Sequence, residues 1–281
     1  MNSEFHLLVI DPQNDFCDLP AAYRPSDTAP ALPVPGAHAD MQRVAELLRR
    51  GGRGVSGVSI TMDAHHRFDI AHPPFWTGAD GAAVPPFTQI SAAAVRSGIY
   101  LPRQPDALPR VLAYLDALET GGRYGLMVWP VHCEIGSWGQ QVHADVRAAC
   151  DEWEAAGHRL NLVEKGGNQW TEHYSAVMAE VPDVDDPTTQ LNQTLIDVLA
   201  ASERVYITGE AGSHCVKATT EHIADCFRPD HIAKLVLVTD CISPVTGFER
   251  QYQDFIDAMR QRGVRIAQSA QVLDELIANS Q

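Results

Sequence analysis

The sequence is short of several features that would point away from an enzyme. Positive charge is scarce: 21 Lys+Arg stand against 36 Asp+Glu, giving a formal net charge of −15. A chain this acidic offers no basic face to a nucleic-acid backbone or an anionic membrane, which excludes both as general partners. No apolar run approaches the roughly 20 residues needed to cross a bilayer. Cysteine is scattered over Cys17, Cys133, Cys150, Cys215, Cys226 and Cys241, with no CxxC pair. That spacing predicts reduced thiols in a cytosolic protein rather than a disulfide framework. The opening MNSEFHLLVIDP lacks a basic leader and runs straight into a strand pattern, so no signal peptide is expected. Internal repeats and low-complexity tracts are missing as well.

What is present is an alternation of short apolar runs and helical patterns. HLLVID (His6 to Asp11), VSGVSIT, YGLMVW, RLNLVEK, RVYITG, KLVLVTD and VRIA read as strands. Between them lie helical stretches at MQRVAELLRRGG, Val111 to Leu118, Trp138 to Ala156, Gln190 to Ala200, His214 to Ala224 and Phe248 to Arg262, and a last helix follows VRIA. Such alternation predicts an α/β fold: a doubly wound, mostly parallel sheet flanked by helices. The whole chain, 1–281, reads as one domain with a long insertion at about 66–109, rich in Pro, His and Gly. A stretch of that length is either functional or carries small elements of its own.

Reactive residues gather at the predicted strand ends. Asp11 ends the first strand, Asp63 the second and Lys165 ends RLNLVEK, while His132 follows YGLMVW and Cys215 follows RVYITG. In a doubly wound sheet these five would meet on one edge, where ligands bind. Cys215 stands where a helix begins, which with a nearby Lys165 favours a thiolate, and Asp11 could take its proton. The small residues Gly209, Ala211 and Gly212 suit a turn whose N–H groups face an oxyanion. From spacing alone, Cys215 is equally well read as a packed core thiol. Asp63 and His65 in DAHH, with His132, form a two-His, one-carboxylate set that suits zinc, or iron or manganese. His66, His72 and His143 read as ordinary loop histidines first and ligands second. Asp15 and Asp18 read as turn makers, and Asp240 as a cap on the turn after its strand. Phe16, Trp129 and Trp76 are candidates for an aromatic pocket wall, with core packing the stronger reading for Trp76.

Taken together, VIDPQNDF, DxH, WPxHC, KG…YSA and G-(x)5-CV-(x)2-T occur here in an order that resembles the nicotinamidase branch of the isochorismatase-like cysteine hydrolases. The resemblance touches the strand ends from Asp11 to Asp240. It implies an isochorismatase-like fold and a catalytic set of Asp11, Lys165 and Cys215. It further implies an oxyanion hole from the N–H groups of Ala211 and Cys215, after a non-proline cis peptide at Glu210–Ala211. Gln13, Phe16 and Trp129 would sit at the substrate, and Asp63, His65 and His132 would hold one divalent metal, zinc before iron or manganese. The implied activity is hydrolysis of nicotinamide or a close heteroaromatic amide, a cytoplasmic step of NAD salvage. Hydrolases of this kind often associate, so a homo-oligomer is an expectation, although no stretch identifies an interface.

The chain also departs from that pattern. It is long for the family, with added material between Asp63 and His132 and again before Lys165. It reads DAHH where relatives commonly have DWHP, and Glu210 and His214 bring polar groups beside Cys215. A different small amide is therefore the nearest alternative. From another class, a mononuclear iron redox enzyme would use Asp63, His65 and His132 but leave Lys165 and Cys215 idle. A non-catalytic scaffold would tolerate loss of the Asp–Lys–Cys set, which is complete here.

Overall fold

A computed structural model describes residues 3–281; Met1 and Asn2, the start of the segment read above as lacking a leader, lie outside the described residues. The strands are β1 (Phe5–Ile10), β2 (Gly57–Asp63), β3 (Trp76–Gly78), β4 (Thr88–Ile90), β5 (Tyr100–Pro102), β6 (Leu126–Val128), β7 (Asn161–Lys165), β8 (Arg204–Gly209), β9 (Leu235–Val238) and β10 (Arg265–Ala267). The helices are α1 (Ala37–Gly51), α2 (Ala92–Arg96), α3 (Leu108–Gly121), α4 (Ala144–Ala155), α5 (Gln193–Ala201), α6 (Cys215–Cys226), α7 (Glu249–Arg262) and α8 (Ser269–Asn279). No helix among the described residues is long and apolar enough to cross a membrane.

Six strands form one sheet in the order β10-β9-β8-β1-β2-β7, and every pairing in it is parallel. The central strands are continuous apolar runs, such as FHLLVI and LVLV, because helices cover both faces of a parallel sheet. At the edge, NLVEK alternates in exposure along β7. β1 lies between β2 and β8, so the strand order reverses there and opens a crevice at the carboxyl ends. At the end of β8 only glycine fits. Gly209 has φ 113°, and a Cβ there would lie 2.0 Å from the carbonyl oxygen of Ile10.

Two expectations are corrected. The YGLMVW strand is not part of the six-stranded sheet: β6 pairs antiparallel with β4, and β3 with β5, in two small separate sheets. Neighbouring bonds reinforce that pairing, since Phe87 N–H donates to the carbonyl of Val128 and Trp129 N–H to that of Ala71. The helix expected from Trp138 starts only at Ala144. Its intended first turn is committed elsewhere, because Gln13 and Asn14 side chains donate to the carbonyls of Gln140 and Trp138. The stretch read as an extended insertion carries β3, β4, β5 and α2, and with α3 it builds an apolar cluster of its own around Phe75, Trp76, Val111 and Leu115.

Candidate active site

Lys165 lies at the centre of the crevice. In the β2–β7 register it is the partner of Asp63, so its ammonium meets the Asp63 carboxylate directly. Nζ also lies 2.9 Å from Asp11 Oδ2 and 3.7 Å from Cys215 Sγ, and donates to the carbonyl of His173 at 3.2 Å. Asp11, Asp63, Lys165 and Cys215 are all buried. Burial disfavours the Lys165 cation, yet Asp11, Asp63 and the thiol outweigh it and hold its pKa well above the usual range. Asp63 is the converse case: burial pushes its carboxyl up, and Lys165 with two histidines pulls it well below the ordinary value. Burial raises Asp11, against the pull of Lys165. It also drives the Cys215 thiol well up, with Lys165 opposing. In this resting arrangement the proton belongs on sulfur, close to a carboxylate of raised proton affinity.

Asp11 adopts the left-handed region at φ 46°, a conformation that costs a non-glycine residue roughly 1–3 kcal/mol. It is fixed there by Thr61, whose hydroxyl donates to Oδ1 at 2.5 Å and whose carbonyl accepts the Asp11 N–H at 3.1 Å. Cys215 is the first residue of α6, and the peptide Glu210–Ala211 is cis. The N–H groups of Ala211 and Cys215 have no hydrogen-bond partner among the described residues, whereas Gly212 and His214 are bonded. Unpaired N–H groups at a helix start suit an anionic oxygen.

Beside the lysine, Asp63, His65 and His132 bring one ligand atom each within 4.8 Å of one another. The outer contacts orient both rings. His65 Nδ1 donates to Asp69 at 3.2 Å, which leaves Nε2 facing Asp63 at 3.7 Å. His132 Nδ1 donates to the carbonyl of Pro130 at 2.8 Å, leaving Nε2 3.9 Å from Asp63. Burial, then His65, pushes His132 down to about 4, so its Nε2 lone pair is available. Asp69 and Asp63 overcome burial to raise His65, and a field that favours an imidazolium also favours a metal cation. This donor set fits a divalent metal. His132 reaches it although β6 lies outside the main sheet, because the loop after β6 pairs with the segment just after β2. His65 N–H donates to the carbonyl of Cys133, and Ile135 N–H to that of His65.

A cleft enclosing about 350 Å³, open mouth included, is lined by Phe16, Trp129, Tyr174, Val245, His214 and Cys215, with Asp63, His132 and Glu172 also in its wall. Gln13, expected at the substrate, is fully buried and works on Asp63 instead. Its amide accepts the Asp63 N–H at 2.7 Å and donates to the Asp63 carbonyl at 2.8 Å. His72 is buried with Nε2 3.2 Å from His132 Nδ1, while His66 is exposed. His143 caps α4. Asp15 and Asp18 tie distant loops rather than make local turns: Asp15 accepts the N–H groups of Ala31 and Cys133, and Asp18 those of Gly36 and His38. Asp240 anchors Ser269 at the start of α8, and Trp76 is core.

Sequence reasoning missed Asp69, Glu172 and Tyr174. Asp69 stands four residues after His65 in DAHHRFD, a spacing that lets a carboxylate reach back to a ring. Glu172 lies in the loop after Lys165, and burial pushes its carboxyl up to about 7. An acid so soon after a strand-end lysine was the available signal.

No protein-family model matches the chain, and no curated protein matches it. Solved structures do. A nicotinamidase/pyrazinamidase from Acinetobacter baumanii superposes with a TM-score of 0.63 at 21% identity, covering 96% of this chain and 98% of its own. The yeast nicotinamidase bound to the inhibitor nicotinaldehyde gives 0.62 at 19%, over 94% and 99%. The pyrazinamidase of Pyrococcus horikoshii in complex with zinc gives 0.52 at 19%, again over 94% and 99%. This chain therefore has the isochorismatase-like hydrolase fold, in the form that nicotinamidases and pyrazinamidases share.

Proposed function

We propose that the protein is a metal-containing cysteine amidohydrolase. It cleaves nicotinamide, or a close heteroaromatic amide, to the carboxylic acid and ammonia through a thioester on Cys215. The observation that carries this reading is the position of Lys165 Nζ, 2.9 Å from Asp11 and 3.7 Å from Cys215 Sγ at the edge of an aromatic-walled cleft. Asp11 takes the thiol proton as sulfur attacks the amide carbon. The developing oxyanion is met by the N–H groups of Ala211 and Cys215. Asp11 then protonates the departing nitrogen, ammonia leaves and the thioester remains. Asp11 next takes a proton from water, whose oxygen attacks the thioester; the carbon–sulfur bond breaks as the acid forms, and Asp11 returns the proton to the sulfur. Lys165 holds Asp11 and the sulfur in register and compensates their negative charge throughout.

Asp63, His65 and His132 would hold the metal, and zinc is the first choice because two imidazoles and a carboxylate with open positions suit it. The zinc complex of the Pyrococcus horikoshii pyrazinamidase supports that choice. Bound there, the metal supplies a Lewis-acid site for a ring nitrogen. Phe16 and Trp129 would flank the ring. The chain would act as one hydrolase domain in the cytoplasm, in NAD salvage.

The test is ammonia release from nicotinamide by the purified protein, beside Cys215→Ala and a chelator-treated sample. Release lost in both controls is the expected result. Release that survives Cys215→Ala overturns the mechanism. Absence of release from folded, zinc-loaded protein removes nicotinamide and moves the assay to other small amides.

A further inference from the structure

The residue before the nucleophile is a histidine, and its surroundings differ from those of the histidines at the metal set. His65, His72 and His132 pack on one another, and His132 also meets Phe16. His214 shares no ring contact with any of them. Its neighbours are Trp129 at 5.0 Å, Tyr174 at 5.3 Å, Phe248 at 4.7 Å and Tyr124 at 6.0 Å. The cleft thus has two walls: a charged one built on Asp63, and an aromatic one with His214 in it.

The proton on His214 can be placed. Ser213 Oγ accepts the Val245 N–H at 3.1 Å, and Nδ1 of His214 lies 2.9 Å from the same oxygen. A buried hydroxyl needs an acceptor for its own hydrogen, and Nδ1 is the one within reach among the described residues. Ser213 therefore donates to Nδ1, and the ring hydrogen sits on Nε2. Burial, with Lys217 adding to it, pushes the ring down to about 3, so it stays neutral. Nε2 has no hydrogen-bond partner among the described residues, although His214 lines the cleft. An otherwise aromatic wall thus carries one N–H donor that the protein leaves unused.

We propose that His214 is a specificity-determining residue whose Nε2–H donates to a second acceptor on the substrate ring. The preferred substrates are then heteroaromatic amides with two ring acceptors, one toward the Asp63, His65 and His132 set and one toward His214. This rests on the amidohydrolase reading. An unpaired buried donor is costly, so a ring that offers only carbon to Nε2 is disfavoured by about ten-fold.

The experiment measures kcat/KM of the full-length, zinc-loaded protein for nicotinamide, pyrazinamide and pyrimidine-5-carboxamide. The readout is the ratio of each diaza amide to nicotinamide, compared between wild type and variants so that intrinsic reactivity cancels. His214→Phe, which keeps a ring and removes the donor, should lower the ratio about ten-fold for at least one diaza amide. His214→Gln, which restores an N–H, should recover part of it. Ratios for both diaza amides that are unchanged in His214→Phe overturn the proposal. If circular dichroism shows His214→Phe unfolded, His214→Leu, which also removes the donor, is measured in its place. Unchanged ratios in a folded His214→Leu likewise overturn the proposal. A wild type that hydrolyses none of the amides instead sinks the heteroaromatic-amide reading on which the proposal rests. One that hydrolyses nicotinamide with ratios insensitive to position 214 sinks only the role of His214.

Discussion

The two halves of the site are held by different kinds of structure. Asp11, Asp63 and Lys165 stand at the ends of β1, β2 and β7, neighbouring parallel strands of one sheet, and Cys215 opens the helix after β8. Their spacing follows from strand register, so a rigid lattice of backbone bonds fixes them. His132 and Trp129 follow β6, which among the described residues pairs only with β4 from the insertion. Their placement depends on loop bonds, on the second apolar cluster and on Asp15, whose carboxylate reaches the N–H of Cys133 at 2.7 Å. The sheet half is a register problem and the loop half a packing problem. The first tolerates sequence change that keeps the strands paired, whereas the second depends on particular side chains far from the chemistry.

Breaking the sheet half has the largest expected effect. Lys165→Met leaves two buried carboxylates with no cation between them. We expect amidase activity to fall by about 10⁴-fold and stability at pH 7 to drop by about 3–5 kcal/mol in urea unfolding. The sign of the pH dependence is diagnostic. Without Lys165 the folded-state pKa of Asp11, already raised by burial, rises further, and that of Asp63 rises above its unfolded value. The variant's deficit should therefore shrink as pH falls and the carboxyls protonate. A deficit that grows toward acid pH would contradict the ion-pair geometry.

The loop half should yield locally. Trp76→Ala opens a cavity in the insertion's cluster and should cost about 3 kcal/mol. The insertion should become the site of limited proteolysis while the far-ultraviolet spectrum of the remaining sheet persists. KM should rise as Trp129 and His132 loosen. Cleavage spread over the whole chain would mean that the two halves unfold as one, and the distinction would fall.

The smallest effect sharpens the comparison from the other end of the sheet. His6 on β1 is buried against Ser59, and burial pushes it down to about 4. A histidine whose pKa is depressed on folding stays neutral while the unfolded chain takes up its proton, so stability falls as pH drops from about 6.5 to 4. His6→Gln should flatten that decline by at most about 3 kcal/mol, seen as a smaller loss of Tm between pH 7 and 4. An unchanged acid limb would assign it to other buried histidines such as His143, also pushed down to about 4.

The same division decides how much could be read from the sequence. Apolar runs ending in Asp, Asp and Lys announce buried parallel strands with a polar edge, and the sheet, its flanking helices and the meeting of Asp11, Asp63, Lys165 and Cys215 were legible. Partnerships that no periodicity records were not. YGLMVW reads as another core strand because its composition is the same, and only tertiary pairing with Thr88–Ile90 removes it from the sheet. Gln13 looks like a pocket residue by position, but both of its amide groups close on the Asp63 backbone. Asp69, Glu172 and Tyr174 act across space, through a ring nitrogen or a cleft wall; the spacing of Asp69 from His65 and an acid after Lys165 were faint signals, and a short polar loop does not record where such a side chain points.

The central place of β1 also bears on how the chain is born. Its two neighbours are encoded far apart, β2 by residues 57–63 and β8 by residues 204–209. On the ribosome β1 can pair first with β2, and β7 can later add to the far side of β2, bringing the acids and the lysine together. The sheet's middle stays half-open until β8 emerges, and such long-range closure is slow. The thiol is delivered just after that strand, at the start of α6. A nascent chain stalled before residue 204 would hold the charge cluster without Cys215, so the thiol joins the acids and the lysine only when the two flanks of the sheet have been joined.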